Sequence, residues 1–140
     1  MNTNNVAIVT GSSRGIGRSI AEKLLSENYT LIVTSTNSTS IKLFDDLTSK
    51  YQNRCFPFVL DISNLESIDN FFSSIKEFLP NISVLVNNAG ITNDNLFIRM
   101  SEGEWFNVIN TNLNGTFRIT KPVIRALPSI FHSTQTTAPL

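Results

Sequence analysis

Residues 6–17 read VAIVTGSSRGIG, an apolar run followed by three glycines spaced Gly-x-x-x-Gly-x-Gly. The run 6–10 has the length and composition of a buried β-strand, and the apolar residues after Gly15 recur at helical spacing. We therefore expect Gly11 to make the sharp turn out of the strand and Gly17 to let the helix pack closely on the sheet. Gly15 would let the backbone approach a pyrophosphate, an anion that the free amides of a helix N-terminus favour.

The glycine pattern taken alone is a weak indicator, because glycine-rich turns also simply connect secondary-structure elements. Its position between an apolar strand and an amphipathic helix favours nucleotide binding over a plain connection. No Gly-Lys-Ser/Thr sequence follows the loop, which disfavours a P-loop phosphate hydrolase.

The rest of the chain alternates apolar runs with segments of helical periodicity, which favours a parallel sheet covered on both faces. Further strands are expected at residues 31–34, 55–60 and 82–86, although Pro57 makes the third less regular. Helices are expected after Gly15, over residues 41–50, from Ser63 and from Ser101. The first of these carries on one face the apolar residues Ile16, Ile20, Ala21, Leu24 and Leu25. Right-handed crossovers would then give a doubly wound α/β domain.

Two stretches have the form of a capping box, in which a Ser and a Glu three residues later exchange hydrogen bonds with each other's amides. Ser63 with Glu66 would open the third helix. Ser101 with Glu104 would open a long helix that continues past Leu113.

Composition excludes several classes of protein. The chain has 140 residues, about one domain's worth, and its 11 basic and 11 acidic residues give no global field for nucleic acid or an anionic membrane. A single cysteine excludes an internal disulfide, and no signal peptide or membrane-length apolar stretch is present. No set of His, Cys, Asp and Glu has metal-ligand spacing. We therefore expect a cytoplasmic protein with no metal site and no nucleic-acid or membrane partner.

Polar side chains follow the third and fourth predicted strands, where the carboxyl ends of parallel strands form a ligand crevice. Asp61 could accept a hydrogen bond from an adenine amino group, or it could bind the amides of its own turn. The amides of 87–90, Asn-Asn-Ala-Gly, could fix a ligand or form an Asx-type turn. Asn112 falls on the apolar stripe of the last helix, as a satisfied core asparagine or as an active-site amide.

The end of the second strand indicates which cofactor the site prefers. A ribose 2′-hydroxyl is usually held by an acidic residue there, whereas residues 35–37 are Ser-Thr-Asn. Arg14 in the glycine loop could pair with a 2′-phosphate, or it could be a solvated surface residue. Together these features favour NADP over NAD and weaken a methyltransferase interpretation.

These motifs occur in the order of the short-chain dehydrogenase/reductase family: the glycine loop, Asp61, Asn-Asn-Ala-Gly at 87–90 and Asn112-Leu113. Residues 5–127 resemble the family, whose fold is Rossmann-like. Residues 90–100, followed by Trp105, look like its 3-oxoacyl-acyl-carrier-protein reductase subgroup in fatty acid biosynthesis. In that subgroup NADPH supplies a hydride that reduces a 3-oxoacyl thioester, free or carrier-bound, and a tyrosine donates the proton.

The resemblance implies a role for individual residues. Those that would contact NADP are Gly11, Ser12, Ser13, Arg14, Ile16, Thr36, Asp61, Ile62, Asn88 and Gly90. Arg14 and Thr36 would lie near the 2′-phosphate, and Asp61 with Ile62 would contact adenine. Asn112 would be the catalytic asparagine, whose backbone holds a water in the proton relay. The family is usually homo-oligomeric through the helix that corresponds to residues 102–127.

The sequence departs from the family where the catalytic Ser and Tyr-x-x-x-Lys are expected. Its only tyrosines, Tyr29 and Tyr51, are followed four residues later by Val33 and Cys55. Residues 128–140 contain no Lys, Arg, Asp or Glu and include Pro139, which argues against a fifth buried strand.

We therefore expect a sheet truncated after the fourth strand and its following long helix. The domain would cover residues 1–127, with an atypical tail at 128–140. By resemblance the function is NADPH-dependent reduction of 3-oxoacyl thioesters, with this chain alone inactive. The alternative is a catalytically inactive nucleotide-binding or interaction fragment from a truncated or frameshifted gene.

Overall fold

Four parallel strands form one sheet in the order β3-β2-β1-β4 in a computed structural model that describes residues 5–127. The strands are β1 Val6–Val9, β2 Thr30–Ser35, β3 Cys55–Val59 and β4 Ile82–Val86. The predicted α/β architecture with a parallel sheet is confirmed, and every strand lies within a residue of its predicted place. The tail predicted at 128–140 lies outside the described residues.

Helices connect the strands and cover the sheet. They are α1 Gly15–Ser26, α2 Asp45–Lys50, α3 Leu65–Ser74, α4 Glu102–Ile109 and α5 Thr116–Ala126. The helix predicted over 41–50 instead begins as a 3₁₀ turn, Thr39–Phe44, and becomes α-helical only at Asp45. The long last helix is present, but a π-helical segment, Asn110–Gly115, separates α4 from α5.

The core lies on both faces of the sheet, and β1 contributes to each face in turn. All four residues of β1 are at most 1% exposed, which explains its unbroken apolar sequence. On one face Val6 and Ile8 pack in a cluster with Ile32, Leu60, Ile62, Ile68, Phe71, Ile75, Ile82, Ile119 and Val123. On the other face Ala7 and Val9 pack with Ala21, Leu25, Leu31, Val33, Phe44, Leu47 and Cys55. Burial raises the pKa of the Cys55 thiol to about 11, as expected for a structural cysteine.

Pro57 does not interrupt the third strand. It is aligned with Val33 in a ladder that runs from Cys55 to Val59. Within residues 5–127, β3 pairs only with β2, and an edge strand tolerates the missing amide of proline.

One of the two predicted capping boxes is wrong. The N-cap of α3 is Asn64, whose Oδ1 accepts from the Ser67 amide at 3.0 Å. Ser63 binds elsewhere, because the Asp61 carboxylate two residues earlier is a stronger acceptor. The Ser63 hydroxyl and amide donate to Asp61 Oδ1 at 2.6 and 2.9 Å.

The buried face of α1 is also narrower than the sequence predicts. Ala21 and Leu25 are fully buried, but Ile16 is 77% exposed. Ile16 lies in the first turn of the helix, next to the glycine loop and beyond the part of α1 that packs on the sheet.

Among residues 5–127, every helix is too short or too polar to span a bilayer. The same residues contain no group of three or more His, Cys, Asp or Glu side chains that could hold a metal ion.

The second capping box is confirmed at the start of α4. The Ser101 hydroxyl accepts from the Glu104 amide at 3.2 Å, and the Ser101 amide donates to Glu104 Oε2 at 2.7 Å. Hydrogen bonds from the Ser101 amide and hydroxyl, and from the Asn95 side chain, hold the pKa of Glu104 below its ordinary value.

We predict that Glu104→Gln destabilises the protein at neutral pH and has a smaller effect in acid. The lowered pKa means that the ionised carboxylate is favoured by folding, so its contribution is complete above the ordinary pKa and disappears as the pH falls through the lowered one. The difference in melting temperature between the variant and the unchanged protein, measured from neutral pH to about pH 3, should narrow below about pH 4. Glu102→Gln, which removes a carboxylate from the same turn outside the box, is the control. A difference in melting temperature that stays constant with pH would contradict the prediction.

Candidate functional site

The glycine loop is fixed by hydrogen bonds to the end of β2. The Gly11 amide donates to Thr34 Oγ1 at 3.1 Å, and the Ser12 amide donates to the Thr34 carbonyl at 2.9 Å. The Ser12 hydroxyl donates to the Val9 carbonyl at 2.9 Å and accepts from the Thr34 amide at 3.0 Å. Ser12 is fully buried, so its side chain shapes the loop and does not face the crevice.

A second set of hydrogen bonds ties the glycine loop to the end of β4. The Asn88 side-chain amide donates to the carbonyls of Thr10 and Gly11, both at 2.9 Å. The Thr10 hydroxyl accepts from the backbone amides of Asn88 and Ala89, both at 3.0 Å. The two loops that carry the predicted glycine and Asn-Asn-Ala-Gly motifs are therefore one connected unit.

The structure explains why each of the three loop positions is a glycine. A Cβ on Gly17 would lie 2.4 Å from Asn88 Nδ2, and one on Gly11 would lie 2.9 Å from Ala89 Cα. Close packing therefore excludes a side chain at Gly11 and at Gly17. Gly11 and Gly15 both have a positive φ, +60° and +58°, but at Gly15 nothing lies within 4 Å of where its Cβ would be. The loop thus leaves open space at Gly15, the first residue of α1.

The start of α1 is suited to an anion. Arg14 is its N-cap, no side chain caps the helix, and its first turn contains no acidic residue. The first amides of a helix have no intrahelical acceptor, so they remain available to a phosphate. Arg14, Gly15 and Ile16 are exposed, and Ser13 is partly exposed.

Two arginines lie close together in sequence but differ in their contacts. Arg18 forms ion pairs with Glu22 and Asp46 and donates to the Leu43 carbonyl at 2.6 Å. Arg14 has no ion pair within the described residues and stays exposed. Of these two arginines, Arg14 is therefore the one whose guanidinium remains available to a phosphate bound at the start of α1.

The end of β2 carries uncharged residues. Thr36 is exposed, whereas the Asn37 side chain is occupied, because its Oδ1 accepts from the Ser40 amide and hydroxyl at 2.9 Å. The buried Ser35 donates to the Asn37 carbonyl at 3.0 Å. Thr36 is thus the residue of this turn that is left exposed without a side-chain bond among residues 5–127.

After β3, Asp61 and Ile62 differ in what they present. Asp61 is partly exposed, and only its Oδ1 receives hydrogen bonds among the described residues, both from Ser63. Ile62 is 5% exposed and packs in the core, so only its backbone can face the crevice.

Asn112 is exposed, and the prediction that it lies on a buried apolar stripe is wrong. The apolar residues on either side of it in sequence are exposed as well, since Trp105 is 51% and Leu113 64% exposed, so this stripe of the helix does not face the core. Asn112 itself lies in the π-helical segment. Its side chain pairs with Ile91 twice: the Ile91 amide donates to Asn112 Oδ1 and Asn112 Nδ2 donates to the Ile91 carbonyl, both at 2.9 Å. A Cβ on Gly90 would lie 3.2 Å from Asn112 Oδ1, so Gly90 and Asn112 are adjacent.

Thr10 and Thr34 join these loops, a role that the sequence analysis did not assign. Each ends an apolar run of the sequence, 6–10 and 31–34, and both are at most 2% exposed. A hydroxyl at the end of a buried apolar run is the signal that could have identified them, since a buried polar group needs a partner.

The chain's two tyrosines lie near the amino ends of the strands, opposite the glycine loop. Tyr29 immediately precedes β2, and Tyr51 packs against Arg54, which immediately precedes β3. The glycine loop, Asp61, Asn88 and Asn112 follow the carboxyl ends of the strands, so neither tyrosine reaches them.

We predict that Asn88→Ala destabilises the protein by about 2 kcal/mol, because it removes two partly buried hydrogen bonds worth roughly 1 kcal/mol each. Asn87→Ala is a matched control, since the neighbouring amide makes a single exposed bond to Thr120. Chemical denaturation of both variants measures the difference. Equal losses of stability would contradict the role of Asn88 as the tie between the loops.

Comparison with known proteins agrees with this arrangement. The family model for short chain dehydrogenases matches residues 5–134. The chain is 42% identical to the 3-oxoacyl-[acyl-carrier-protein] reductase FabG of Aquifex aeolicus over 123 residues, which are 87% of this chain and 50% of that protein. It is 38% identical to the reductase of the same name from Escherichia coli K12 over 122 residues, 87% of this chain and 49% of that one. The chain thus spans about half the length of the curated relatives it matches.

Solved structures give the same picture. A short-chain dehydrogenase from Streptomyces avermitilis superposes with a TM-score of 0.80 and 31% identity, covering 89% of this chain and 44% of that one. A variant of the actinorhodin polyketide ketoreductase, crystallised with NADPH, also gives 0.80, with 26% identity over 90% of this chain and 48% of that one. The family match over most of the chain and the joined glycine and Asn-Asn-Ala-Gly loops lead to one conclusion: the chain belongs to the short-chain dehydrogenase family.

Proposed function

We propose that this chain forms the NADP(H)-binding part of a short-chain reductase that acts on 3-oxoacyl thioesters of a carrier protein. The observation that carries the proposal is the tied glycine loop with open space at Gly15 and an uncapped α1 behind it. The substrate class rests on the names of the curated relatives. The bound cofactor would supply the hydride, and this chain's residues would bind and orient it.

The pyrophosphate would lie over Gly15, held by the first amides of α1. Gly11, Ser13 and Ile16 would line the approach, and the buried Ser12 would contribute through the shape it gives the loop. Arg14 and Thr36 would take the 2′-phosphate, since both are exposed beside the glycine loop and the end of β2. A guanidinium with no carboxylate nearby favours the phosphate of NADP over the bare hydroxyl of NAD.

The remaining predicted contacts follow the edge of the sheet. Asp61 would accept from the adenine amino group through Oδ2, and Ile62 would contact adenine through its backbone. Asn88 and Gly90 would lie along the cofactor. Asn112 would act through its carbonyl, which accepts from Thr116 Oγ1 at 2.7 Å and has a second lone pair for a water of the proton relay.

A second candidate function is a nucleotide binder without catalysis. It is favoured by the position of Tyr29 and Tyr51 near the amino ends of the strands, away from the candidate site. Neither of the two tyrosines in the 140-residue sequence is therefore placed to protonate the substrate. Titration with NADPH and a reductase assay with a 3-oxoacyl thioester, on one sample, separate the two functions. Binding with turnover supports the reductase, and binding without turnover supports the inactive binder.

The exposed apolar residues of α4, α5 and the π segment between them suit a contact between copies of this chain. Trp105, Leu113 and Phe117 are 51%, 64% and 61% exposed. Large apolar surface of this kind is typical of interaction sites. We propose that residues 102–127 form a homo-oligomer contact.

We predict that Arg14→Ala weakens NADPH binding by about tenfold or more and leaves NADH binding nearly unchanged, because a charge-assisted bond to phosphate is lost only with NADPH. Calorimetric titration of both cofactors measures the ratio. Arg125→Ala, which removes the same charge from the last turn of α5, is the control. An equal loss for NADPH and NADH would show that Arg14 does not bind the 2′-phosphate.

We predict that Phe117→Ser lowers self-association, because it removes apolar area from the proposed contact. Sedimentation equilibrium of the variant should give a smaller average mass than the unchanged protein at the same concentration. Leu43→Ser is a matched control, since Leu43 is 52% exposed on a different element. A mass lowered equally by both substitutions would contradict the assignment of the contact to α5.

A further inference from the structure

Asn110, the first residue of the π segment, bridges two parts of the chain. Its Nδ2 donates to the Ser63 carbonyl at 3.1 Å, and its Oδ1 accepts from Arg118 Nη1 at 3.0 Å. Both bonds are partly buried. The side-chain amide of Asn110 is therefore held from the helix side by Arg118, and its donor is directed at the loop after β3.

Ser63 connects Asn110 to Asp61 through hydrogen bonds. The Ser63 amide and hydroxyl both donate to Asp61 Oδ1, while the Ser63 carbonyl is the group that Asn110 holds. The Asp61 amide in turn donates to Ser67 Oγ at 2.9 Å. Every polar group of Ser63 is thus engaged, and Asp61 Oδ2 is the carboxylate oxygen that no donor reaches among residues 5–127.

The π segment meets the same loop at a second point. A Cβ on Gly115 would lie 2.7 Å from the Ile62 carbonyl oxygen, so the backbones are in direct contact there. Gly115 supplies close packing at Ile62, and Asn110 supplies the directional bond at Ser63. Packing at one point leaves the loop free to turn about it, whereas a directional bond at the neighbouring residue sets the loop's orientation.

We propose that Asn110 is a positioning residue for the adenine end of the cofactor site. By holding the Ser63 carbonyl, it sets the loop so that Asp61 is held through Oδ1 and presents Oδ2 to the adenine amino group. Asn110 itself does not touch the cofactor. The inference rests on the proposed function, because it requires NADP(H) to bind with its adenine beside Asp61.

The test compares NADPH with its deamino analogue, in which hypoxanthine replaces adenine. Hypoxanthine carries an oxygen where adenine has the amino group, so it offers Asp61 an acceptor in place of a donor. Hypoxanthine also carries a proton on N1, where adenine offers an acceptor to the Ile62 backbone. The ratio of the two dissociation constants therefore reports the hydrogen bonds of Asp61 and Ile62 to this edge of the base, and Asp61→Ala isolates the part that Asp61 contributes. A loss of general stability moves both constants together and leaves the ratio unchanged.

The unchanged protein should prefer NADPH by about tenfold or more, the effect of one hydrogen bond to a charged group. Asp61→Ala should remove most of the preference, since only the proposed Ile62 contact then distinguishes the two bases. Asn110→Asp, which still accepts from Arg118 but cannot donate to Ser63, should reduce it to less than about threefold. Asn114→Asp places the same charge at an exposed position of the same segment and should keep the full preference.

Asn110→Ala adds no charge and should also lower the ratio, so it decides the question if the aspartate variant melts too early to be titrated. A full preference in a folded Asn110 variant, together with its loss in Asp61→Ala, would overturn the inference and leave the proposed function standing. Failure of the unchanged protein to bind either dinucleotide would overturn the proposed function itself.

Discussion

The bonds between Thr10 and Asn88 are the constraint on which the site depends. The Thr10 and Gly11 carbonyls lie beyond the last residue of β1, and the Asn88 and Ala89 amides lie beyond the last residue of β4. The ladder between these strands no longer supplies partners there, so the Thr10 hydroxyl and the Asn88 amide supply them. Because the Asn88 side chain fills the space beside Gly17, the first turn of α1 is fixed against the same junction. What remains open is the space at Gly15.

One helix reaches both ends of the crevice through residues of the π segment. Asn112 bonds to Ile91 in the loop after β4, while Asn110 bonds to Ser63 in the loop after β3. The two asparagines are two positions apart, a spacing that in a helix directs side chains about 200° from each other. The segment is anchored at both loops, which agrees with the frequent occurrence of π-helical turns at functional sites.

Four of the exposed apolar side chains lie where a proposed partner would cover them. Ile16 is exposed beside the open space at Gly15, where the proposed cofactor would cover it. Trp105, Leu113 and Phe117 are exposed on the last helices, where the proposed contact between copies would bury them. Arg118, on the same helix as Phe117, holds Asn110 instead. The helix thus divides its residues between the crevice and an outer apolar surface.

The α/β class, the four strands and the glycine loop could be predicted from the sequence, because apolar runs and glycines at a strand-to-helix turn are local signals. The Ser101 capping box could be predicted too, since it joins residues three apart. Three features could not be predicted from the sequence: the N-cap at Asn64, the exposure of Ile16 and Asn112, and the bridge from Asn110 to Ser63, which are 47 residues apart. They depend on which of several partners a side chain bonds, on which part of a helix packs against the sheet, and on contacts between residues distant in sequence, and no periodic count of residues contains these.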